Sequence, residues 1–257
     1  RDVNVVYNKI DFEKDNFKFK YPYEIPEYIV HGAWNTGGDY LNSKKNKVWL
    51  KNSKLFFNSF KNFKHIKIIS FGSCAEYNWN DKNLLHKKNQ LNPINNYGRS
   101  KLKLYLYLKN SLNFRNILWL RLFFLFGGLS KKKSLIKSSI NKFKKNKKIY
   151  ILNPYDKLDF IYDKDATNIS LKLIKRSKNG IYNISTGNKI SILDFVRIIE
   201  KILNRKNLIY YKNKFNNYKV IHGSTKKLIH NNIISKYKFQ QYNSYLKRNI
   251  KKIIMEN

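Results

Sequence analysis

Two short segments decide the interpretation of this sequence: Phe71-Gly-Ser-Cys-Ala-Glu-Tyr77 and Tyr97-Gly-Arg-Ser-Lys101. The apolar run before Ser73 predicts a buried strand, so Ser73 would follow a carboxyl strand end, where open α/β sheets place their chemistry. Tyr97 and Lys101 are four residues apart and would lie on one helix face, one turn from each other. An ammonium there would lower the pKa of the phenol, which a tyrosine that transfers protons near neutral pH requires.

The residues around Tyr97 carry the signals of a helix start. Asn92 is a capping residue type, and Pro93 suits the first helical position. A Tyr and a Lys at this spacing would, taken alone, be explained more simply as an aromatic ring packed beside a solvated lysine. Ser73 at a strand end and Gly98 beside Tyr97 favour a catalytic site instead.

Together the two segments resemble the extended short-chain dehydrogenase/reductase family, which contains sugar-nucleotide epimerases, dehydratases and reductases. That family has a Ser or Thr four residues before a Tyr at a strand end, followed by Tyr-x-x-x-Lys on the next helix. Ser73 with Tyr77, and Tyr97 with Lys101, fit this pattern.

The resemblance implies an α/β fold with a Rossmann-type doubly wound parallel sheet and a smaller C-terminal substrate domain. Residues 1–128 would form a partial NAD(P)-binding domain, to which parts of 150–190 return, and 129–257 would be mainly substrate-binding. The chain opens on Arg1, and no three of its ten glycines have the spacing of a dinucleotide-binding loop. We therefore expect a strand and a Gly-x-x-Gly-x-x-Gly turn before Arg1.

The resemblance also assigns catalytic roles. Tyr97 would be the general acid/base on a sugar oxygen, Lys101 would lower the pKa of Tyr97 and hold the nicotinamide ribose, and Ser73 would orient the sugar oxygen. The cofactor would be NAD or NADP, the substrate a nucleotide sugar, and the assembly a homodimer.

Further cofactor contacts are expected at strand ends. Gly32, Ala33 and Trp34 follow a short strand whose His-x-Ala ending resembles the family's fourth strand, with His31 as a packed strand-end residue. Asn8 would stand near the adenine, in place of the first carboxylate of an Asp-x-x-Asp pattern. Phe123 lies in the loop that touches the nicotinamide in relatives.

The substrate contacts expected from the resemblance are Ser73, Cys74, Phe124 and Lys157. Phe124 replaces an Asn that commonly binds substrate. Lys157 would substitute for an Arg that contacts phosphate, although a lysine lacks the bidentate fork of a guanidinium.

The two residues after Ser73 predict the reaction type. Dehydratases of this family place an Asp and a Glu there, whereas this chain has Cys74 and Ala75, which cannot replace a carboxyl pair. We therefore expect a 4-keto reductase or a 4-epimerase that does not dehydrate its substrate. Strand alternation should point Glu76 away from Ser73.

The charge of the chain leaves two other function classes open. The formal net charge is +37, and because 8 of the 53 basic residues are arginine, 45 are lysine. Solvated lysines in a chain rich in Asn, Ile, Phe and Tyr indicate compositional bias, with nonspecific polyanion binding as a by-product. A basic nucleic-acid-binding module and a non-catalytic relative that binds a partner remain the alternatives.

The environment of the protein is predicted from three further observations. Cys74 is the only cysteine, so no intramolecular disulfide can form and a reducing, cytoplasmic location is expected. The most apolar run, 117–128, is short and contains Arg121, so we expect no membrane span. No metal-ligand cluster is evident in the sequence.

Three more helices are predicted from apolar periodicity and capping. One covers Asp39 to Asn62, and a basic amphipathic one lies within Lys131–Lys148. The third begins at Ser191, with Asp194 in its first turn.

Overall fold

The computed structural model describes residues 10–14, 17–19, 25–81, 85, 90–128, 134–212 and 218–256. Asn8, and with it the adenine contact predicted for it, lies outside the described residues. The strands, in chain order, are β1 (Tyr28–His31), β2 (Lys67–Ser73), β3 (Ile117–Leu122), β4 (Phe124–Phe126), β5 (Ile149–Ile151), β6 (Lys157–Leu158), β7 (Phe160–Tyr162), β8 (Gly180–Ile184), β9 (Ile190–Ser191), β10 (Ile209–Tyr211) and β11 (Val220–Ile221).

The α-helices begin and end within the same described ranges. In chain order they are α1 (Lys45–Asn58), α2 (Asn96–Leu106), α3 (Leu135–Lys144), α4 (Asp163–Lys175), α5 (Ile192–Ile202), α6 (Lys226–His230) and α7 (Tyr242–Met255). A short 3₁₀ helix (Cys74–Glu76) follows β2, and a π-helical turn (Tyr107–Ser111) follows α2.

The main sheet has the strand order β1-β2-β3-β8, and every neighbouring pair in it is parallel. Apolar side chains cover both faces, because successive residues of a strand point to opposite sides. Ile68 packs in a cluster with Phe57 of α1 and Leu104 of α2, whereas Ile69 belongs to the larger cluster that includes Ala166 of α4. A parallel sheet between two helical layers confirms the predicted α/β class.

The register of the main sheet sets the position of the candidate site. Ser73, the last residue of β2, pairs with Leu122, the last residue of β3. Because the strands are parallel, their carboxyl ends open at the same edge of the sheet. The residues that follow β1, β2 and β3 therefore meet along that edge.

Three smaller sheets accompany the main sheet: β11-β6-β9, β4-β7 and β10-β5. The hydroxyl of Tyr242 on α7 donates to the carbonyl of Phe160 at 2.9 Å and accepts from its N–H at 2.9 Å. The hydroxyl of Tyr245 accepts from the N–H of Tyr162 in the same strand. These bonds dock α7 on β7. The predicted boundary between a cofactor domain and a substrate domain stays a prediction.

The start of α2 corrects one prediction. Its cap is Asn95, whose Oδ1 accepts from the N–H of Gly98 at 2.8 Å, so neither Asn92 nor Pro93 forms the helix start. Both residue types fit a helix start locally, but the side chain that can reach a free N–H is the one directly before the helix.

The helix predicted from Asp39 to Asn62 is shorter than expected, whereas α3 lies within the predicted range Lys131–Lys148. α1 begins at Lys45 because the preceding residues form turns, in which the Asn46 amide donates to the carbonyls of Tyr40 and Ser43. α3 begins after Ser134, which caps it. The predicted start of α5 is confirmed, since Ser191 Oγ accepts from the N–H of Asp194 at 3.0 Å.

Candidate active site

The chain closes a tight, doubly capped turn directly after β2, which we call the Ser73 turn (residues 73–76). Ser73 Oγ accepts from the N–H of Ala75 at 3.1 Å, and Glu76 Oε1 accepts from the N–H of Ser73 at 2.9 Å. This reciprocal arrangement is a capping box, which satisfies backbone donors that the end of the strand would otherwise leave free. Both ends of the turn are therefore held, and Ser73 lies at the carboxyl edge of the sheet.

Gly98 brings the start of α2 against the Ser73 turn. A Cβ at this position would lie 1.9 Å from the carbonyl oxygen of Ala75, so only a glycine permits the approach. This approach places Tyr97, the residue before Gly98, beside the Ser73 turn, where the side chain of Ser73 acts to lower the pKa of its phenol. The structure therefore brings together the two hydroxyl residues that the sequence predicts as a pair.

The ring of Tyr97 lies in an aromatic pocket. Its centroid is 5.0 Å from that of Tyr40 and 6.2 Å from that of Trp34, both in edge-on contacts. Burial raises the pKa of Tyr97, and the side chain of Ser73 opposes this only in part. Tyr40 also lines a cavity of about 190 Å³ with Asn46 and Trp49.

Lys101 is almost fully buried one turn further along α2. Its Nζ donates to the carbonyl of Phe71 at 2.9 Å and lies 4.1 Å from the centroid of the Trp34 ring. The same ammonium is 5.8 Å from the ring centroid of Tyr97. Burial lowers the pKa of Lys101 to about 7, against the opposing charge of Glu76.

This arrangement contradicts one prediction about Lys101. The ammonium was expected to lower the pKa of Tyr97, but it points at a backbone carbonyl and an indole face, and the pKa of Tyr97 is raised. A helical spacing of four residues places two side chains on one face, but it does not select the partner of a long, flexible lysine.

The end of β1 lies beside this cluster. His31 is buried, its Nε2 is 3.4 Å from Ser53 Oγ, and burial together with the Lys101 ammonium lowers its pKa to about 3. The expectation of a packed strand-end residue is confirmed. Gly32, Ala33 and Trp34 follow directly, and Trp34 contacts both Lys101 and Tyr97.

The remaining predicted contacts have different environments. Phe123 is buried against Gly223, where a Cβ would lie 2.5 Å from its ring, and Phe124 on β4 is partly exposed, with its ring 6.3 Å from that of Trp79. Lys157 is exposed on β6 with its Nζ 5.7 Å from the ring of Tyr218. Their binding roles stay predictions.

Cys74 lies inside the Ser73 turn with its thiol buried. Burial raises the pKa of this thiol, and the side chain of Ser73 opposes the shift only in part. The carbonyl of the same residue accepts from Trp79 Nε1 at 3.0 Å. The Cys74 side chain therefore faces the protein interior as a protonated thiol.

Sequence reasoning missed a buried polar network behind the site. Glu76 was expected to point away from Ser73, but its carboxylate turns back to the Ser73 N–H and forms a 2.8 Å ion pair with Arg121. Trp119 Nε1 donates to both carboxylate oxygens, at 2.9 and 3.2 Å. The sequence signal was present, because Ser-x-x-Glu is the capping-box pattern, which turns the acidic side chain back towards the serine backbone.

The network continues away from the site. Arg121 Nη1 donates to the hydroxyl of Tyr77 at 3.1 Å, and this hydroxyl donates to Asn183 Oδ1 at 3.0 Å. The tyrosine that the sequence pattern pairs with Ser73 therefore links the end of β2 to β8.

No helix in the described part of the chain combines the length and apolar content needed to cross a bilayer. Within the same ranges, no three His, Cys, Asp or Glu side chains are grouped so that they could hold a metal ion.

Several solved structures share the fold of this chain. The chain matches a UDP-N-acetylglucosamine 4-epimerase from Methanobrevibacter ruminantium with a TM-score of 0.74 at 21% identity, over 90% of this chain and 77% of the other. It matches a UDP-glucose 4-epimerase from Thermotoga maritima with a TM-score of 0.73 at 15% identity, over 88% and 76%. A dTDP-glucose 4,6-dehydratase from Bacillus anthracis, solved with NAD, gives 0.71 at 17%, over 90% and 73%. The fold is thus Rossmann-like, of the kind found in nucleotide-sugar epimerases and dehydratases.

The family follows from the sequence. The profile of the NAD dependent epimerase/dehydratase family matches residues 9–185, which is more than half of the chain, so the protein belongs to that family. A sequence comparison with curated proteins gave no match.

Proposed function

We propose that the protein transfers hydride between NAD or NADP and C4 of a nucleotide-linked hexose, as a 4-epimerase or a 4-keto reductase. A 6-deoxy-4-keto sugar nucleotide is the substrate class we favour. The observation that carries the proposal is the close approach of the start of α2, which carries Tyr97, to the Ser73 turn at the carboxyl edge of the sheet, with the Lys101 ammonium 5.8 Å from the ring centroid of Tyr97.

The donor set at this edge fits the nicotinamide half of such a cofactor. Lys101 supplies an ammonium, Tyr97 supplies a hydroxyl, and Trp34 supplies a flat apolar face. When bound, the cofactor would supply the hydride acceptor or donor. Lys101 and Tyr97 would hold its ribose, while Gly32, Ala33 and Phe123 would border it.

The surroundings of Tyr97 suit a general acid. Because burial raises its pKa, the phenol keeps its proton at neutral pH and can donate it to a sugar oxygen during reduction. To accept a proton in the oxidative direction, the phenol needs a cation closer than Lys101 now lies. We propose that Lys101 leaves the carbonyl of Phe71 and turns to Tyr97 when the site is filled.

Ser73 is oriented as a hydrogen-bond donor. Its Oγ already accepts from the N–H of Ala75, so its proton remains for an oxygen at the edge of the sheet. A sugar O4 between Ser73 and Tyr97 would then receive a hydrogen bond from one hydroxyl and exchange a proton with the other. Phe124 and Lys157 are the further substrate contacts of the proposal, whereas the buried Cys74 side chain does not face the substrate.

The same residues argue against dehydration. Elimination of water needs an additional acid and base near the sugar, but Ala75 has no proton to transfer. Cys74 is buried with a raised pKa, and Glu76 is occupied by Arg121 and Trp119. The proposed activity therefore ends at the hydride and proton exchange.

Two incubations of the full-length protein test this proposal. The first contains NAD and a nucleotide hexose, and the second contains NADH or NADPH and a nucleotide 4-keto-6-deoxyhexose. A changed C4 configuration in the first tube indicates an epimerase, and oxidation of the reduced cofactor only in the second indicates a reductase. Formation of a 4-keto-6-deoxy product in the first tube, or no turnover in either, contradicts the proposal.

A matched pair of tyrosine variants links the activity to the site. Tyr97→Phe should lower kcat by about 10²–10⁴-fold because the proton donor is lost. Cofactor affinity should change little, since Lys101 still holds the ribose. Tyr107→Phe in the π-helical turn after α2 is the control, because its ring lies outside the site, with Lys54 Nζ 4.7 Å from the ring centroid. Equal kcat values for the two variants would refute the assignment of Tyr97.

A further inference from the structure

We propose that Glu76 is a positioning residue that fixes the Ser73 hydroxyl for the reaction, and that Arg121 and Trp119 hold Glu76 in place for this task. The inference rests on the proposed function and adds a role to it. Glu76 acts through the Ser73 turn and does not touch the substrate.

The carboxylate of Glu76 is fully occupied by hydrogen-bond donors. It is completely buried, and the N–H groups of Ser73, Trp119 and Arg121 donate to its two oxygens at 2.8 to 3.2 Å. Each donor comes from a different place on the sheet: the end of β2 and two positions of β3. The side chain therefore has one position, and so does the Ser73 backbone bound to it.

The main sheet leaves space for the contacts of Glu76 with Trp119 and Arg121. Trp119 and Arg121 are two residues apart on β3, so their side chains point to the same face. Gly72 on the neighbouring strand pairs with Arg121 and leaves that face open. A Cβ at Gly72 would lie 2.2 Å from Trp119 Nε1 and 2.3 Å from Glu76 Oε1.

A capping box alone would not need the negative charge of Glu76. Glutamine serves in a capping box as well as glutamate, because only one acceptor oxygen is required. A buried carboxylate costs free energy unless it is paired, and Arg121 supplies the pair here. The charge and the second oxygen of Glu76 serve Arg121 and Trp119, and so bind the turn to β3.

The closed turn fixes the direction in which the Ser73 hydroxyl donates its proton. Its Oγ accepts from the N–H of Ala75 only while the turn is closed, and this bond leaves the hydroxyl proton free for the sugar oxygen. Opening the turn would let the hydroxyl rotate among several acceptors. A misplacement of about 1 Å at a reacting group costs about 10²-fold in rate.

A double-mutant cycle in the full-length protein tests whether Glu76 acts through Ser73. Glu76→Gln should lower kcat by about 10²-fold with little change in KM, since orientation is lost and binding remains. The double variant with Ser73→Ala should have the kcat of Ser73→Ala alone. Additive losses would mean that Glu76 acts independently of Ser73 and would overturn the inference.

A second readout reports the turn itself without any substrate. Cys74, the only cysteine, is buried inside the turn, so its rate of labelling by a thiol reagent measures how often the turn opens. Glu76→Gln should be labelled faster than the parent protein, whereas Asp194→Asn, which changes the corresponding acid at α5, should not. Equal labelling rates for parent and Glu76→Gln would overturn the inference.

The remaining variants separate the possible failures. If Glu76→Gln does not fold, Trp119→Phe takes its place, because it removes one of the three donors to Glu76. It should lower kcat and raise the labelling rate of Cys74, each by less than Glu76→Gln would. Unchanged values of both would overturn the inference. If Ser73→Ala keeps full activity, the proposed function fails, and the inference fails with it. If Ser73→Ala loses activity but Glu76→Gln does not, only the inference fails.

Discussion

The Ser73 turn and the start of α5 use the same local pattern in opposite surroundings. In each, a serine caps the following residues, and an acidic residue stands three positions later: Glu76 in the turn and Asp194 in the helix. Glu76 is completely buried and paired at 2.8 Å, whereas the Asp194 side chain is 56% exposed and pairs with Arg197 at 3.4 Å.

The comparison shows which contacts of a capping motif depend only on neighbouring residues in the chain. The partner of Asp194 is three residues away on the same helix, so the pair forms wherever the helix forms. The partner of Glu76 lies 45 residues away on a different strand, and it is itself 97% buried, since its exposed fraction is 3%. The first pair is a surface feature, and the second joins two strands beneath the candidate site.

Removing the arginine of each pair should give the largest contrast. Arg121→Met leaves the Glu76 carboxylate buried without its countercharge and should lower the free energy of unfolding by about 3–5 kcal/mol. Arg197→Met removes an exposed pair and should cost about 0.5 kcal/mol or less. Urea denaturation of both variants measures the difference. Similar losses would show that burial does not distinguish the two pairs.

Lys101, beside the Ser73 turn, should make a smaller, pH-dependent contribution to the free energy of unfolding. Burial lowers the pKa of Lys101 to about 7 from 10.5, and its ammonium faces Glu76, His31 and Tyr97. Between pH 10.5 and about 7, Lys101 carries a proton in the unfolded chain but not in the folded protein. The free energy of unfolding contributed by Lys101 therefore rises with pH across this window and is lost as the pH falls through about 7.

The variant Lys101→Met isolates this contribution. The parent protein should gain stability relative to Lys101→Met as the pH is raised from about 7 towards 10, measured by urea denaturation at several pH values. Lys201→Met on α5 is the control for the loss of an exposed lysine. A flat difference for Lys101→Met would mean that Lys101 does not lose its proton in this window.

The smallest contrast in stability comes from the two capping serines. Ser73→Ala and Ser191→Ala should each cost about 1 kcal/mol, because each removes one capping acceptor. Only Ser73→Ala should also lower turnover, since Ser191 lies at the start of α5. Thermal denaturation and the two sugar-nucleotide incubations measure these properties separately. A loss of turnover in Ser191→Ala comparable to that in Ser73→Ala would remove the distinction.

The sequence predicted the local features of the site correctly. The apolar run before Ser73 forms a buried strand. The start of α5 at Ser191 was also predicted. These features depend on residues close together in the chain, so their patterns can be read directly.

Other features depended on contacts that no local pattern specifies. The exact start of α2 was wrong because Asn92 and Asn95 are both good caps, and tertiary packing selected the second. The direction of Lys101 was wrong because a long side chain binds the best buried acceptor within reach, here the carbonyl of Phe71. The prediction that Glu76 points away from Ser73 was wrong because it assumed that strand alternation continues beyond Ser73, whereas Cys74–Glu76 form a 3₁₀ helix.

The sequence by itself determined the α/β class and the parallel sheet. Strand and helix periodicity and a motif that spans two successive elements carry this information. Only the tertiary structure decided the partners of Glu76 and Lys101, because these depend on which strand lies beside which and on the space that Gly72 leaves. The physical reason is burial: a charged side chain removed from water must find a partner within a few ångströms, and the fold alone sets which residues lie there.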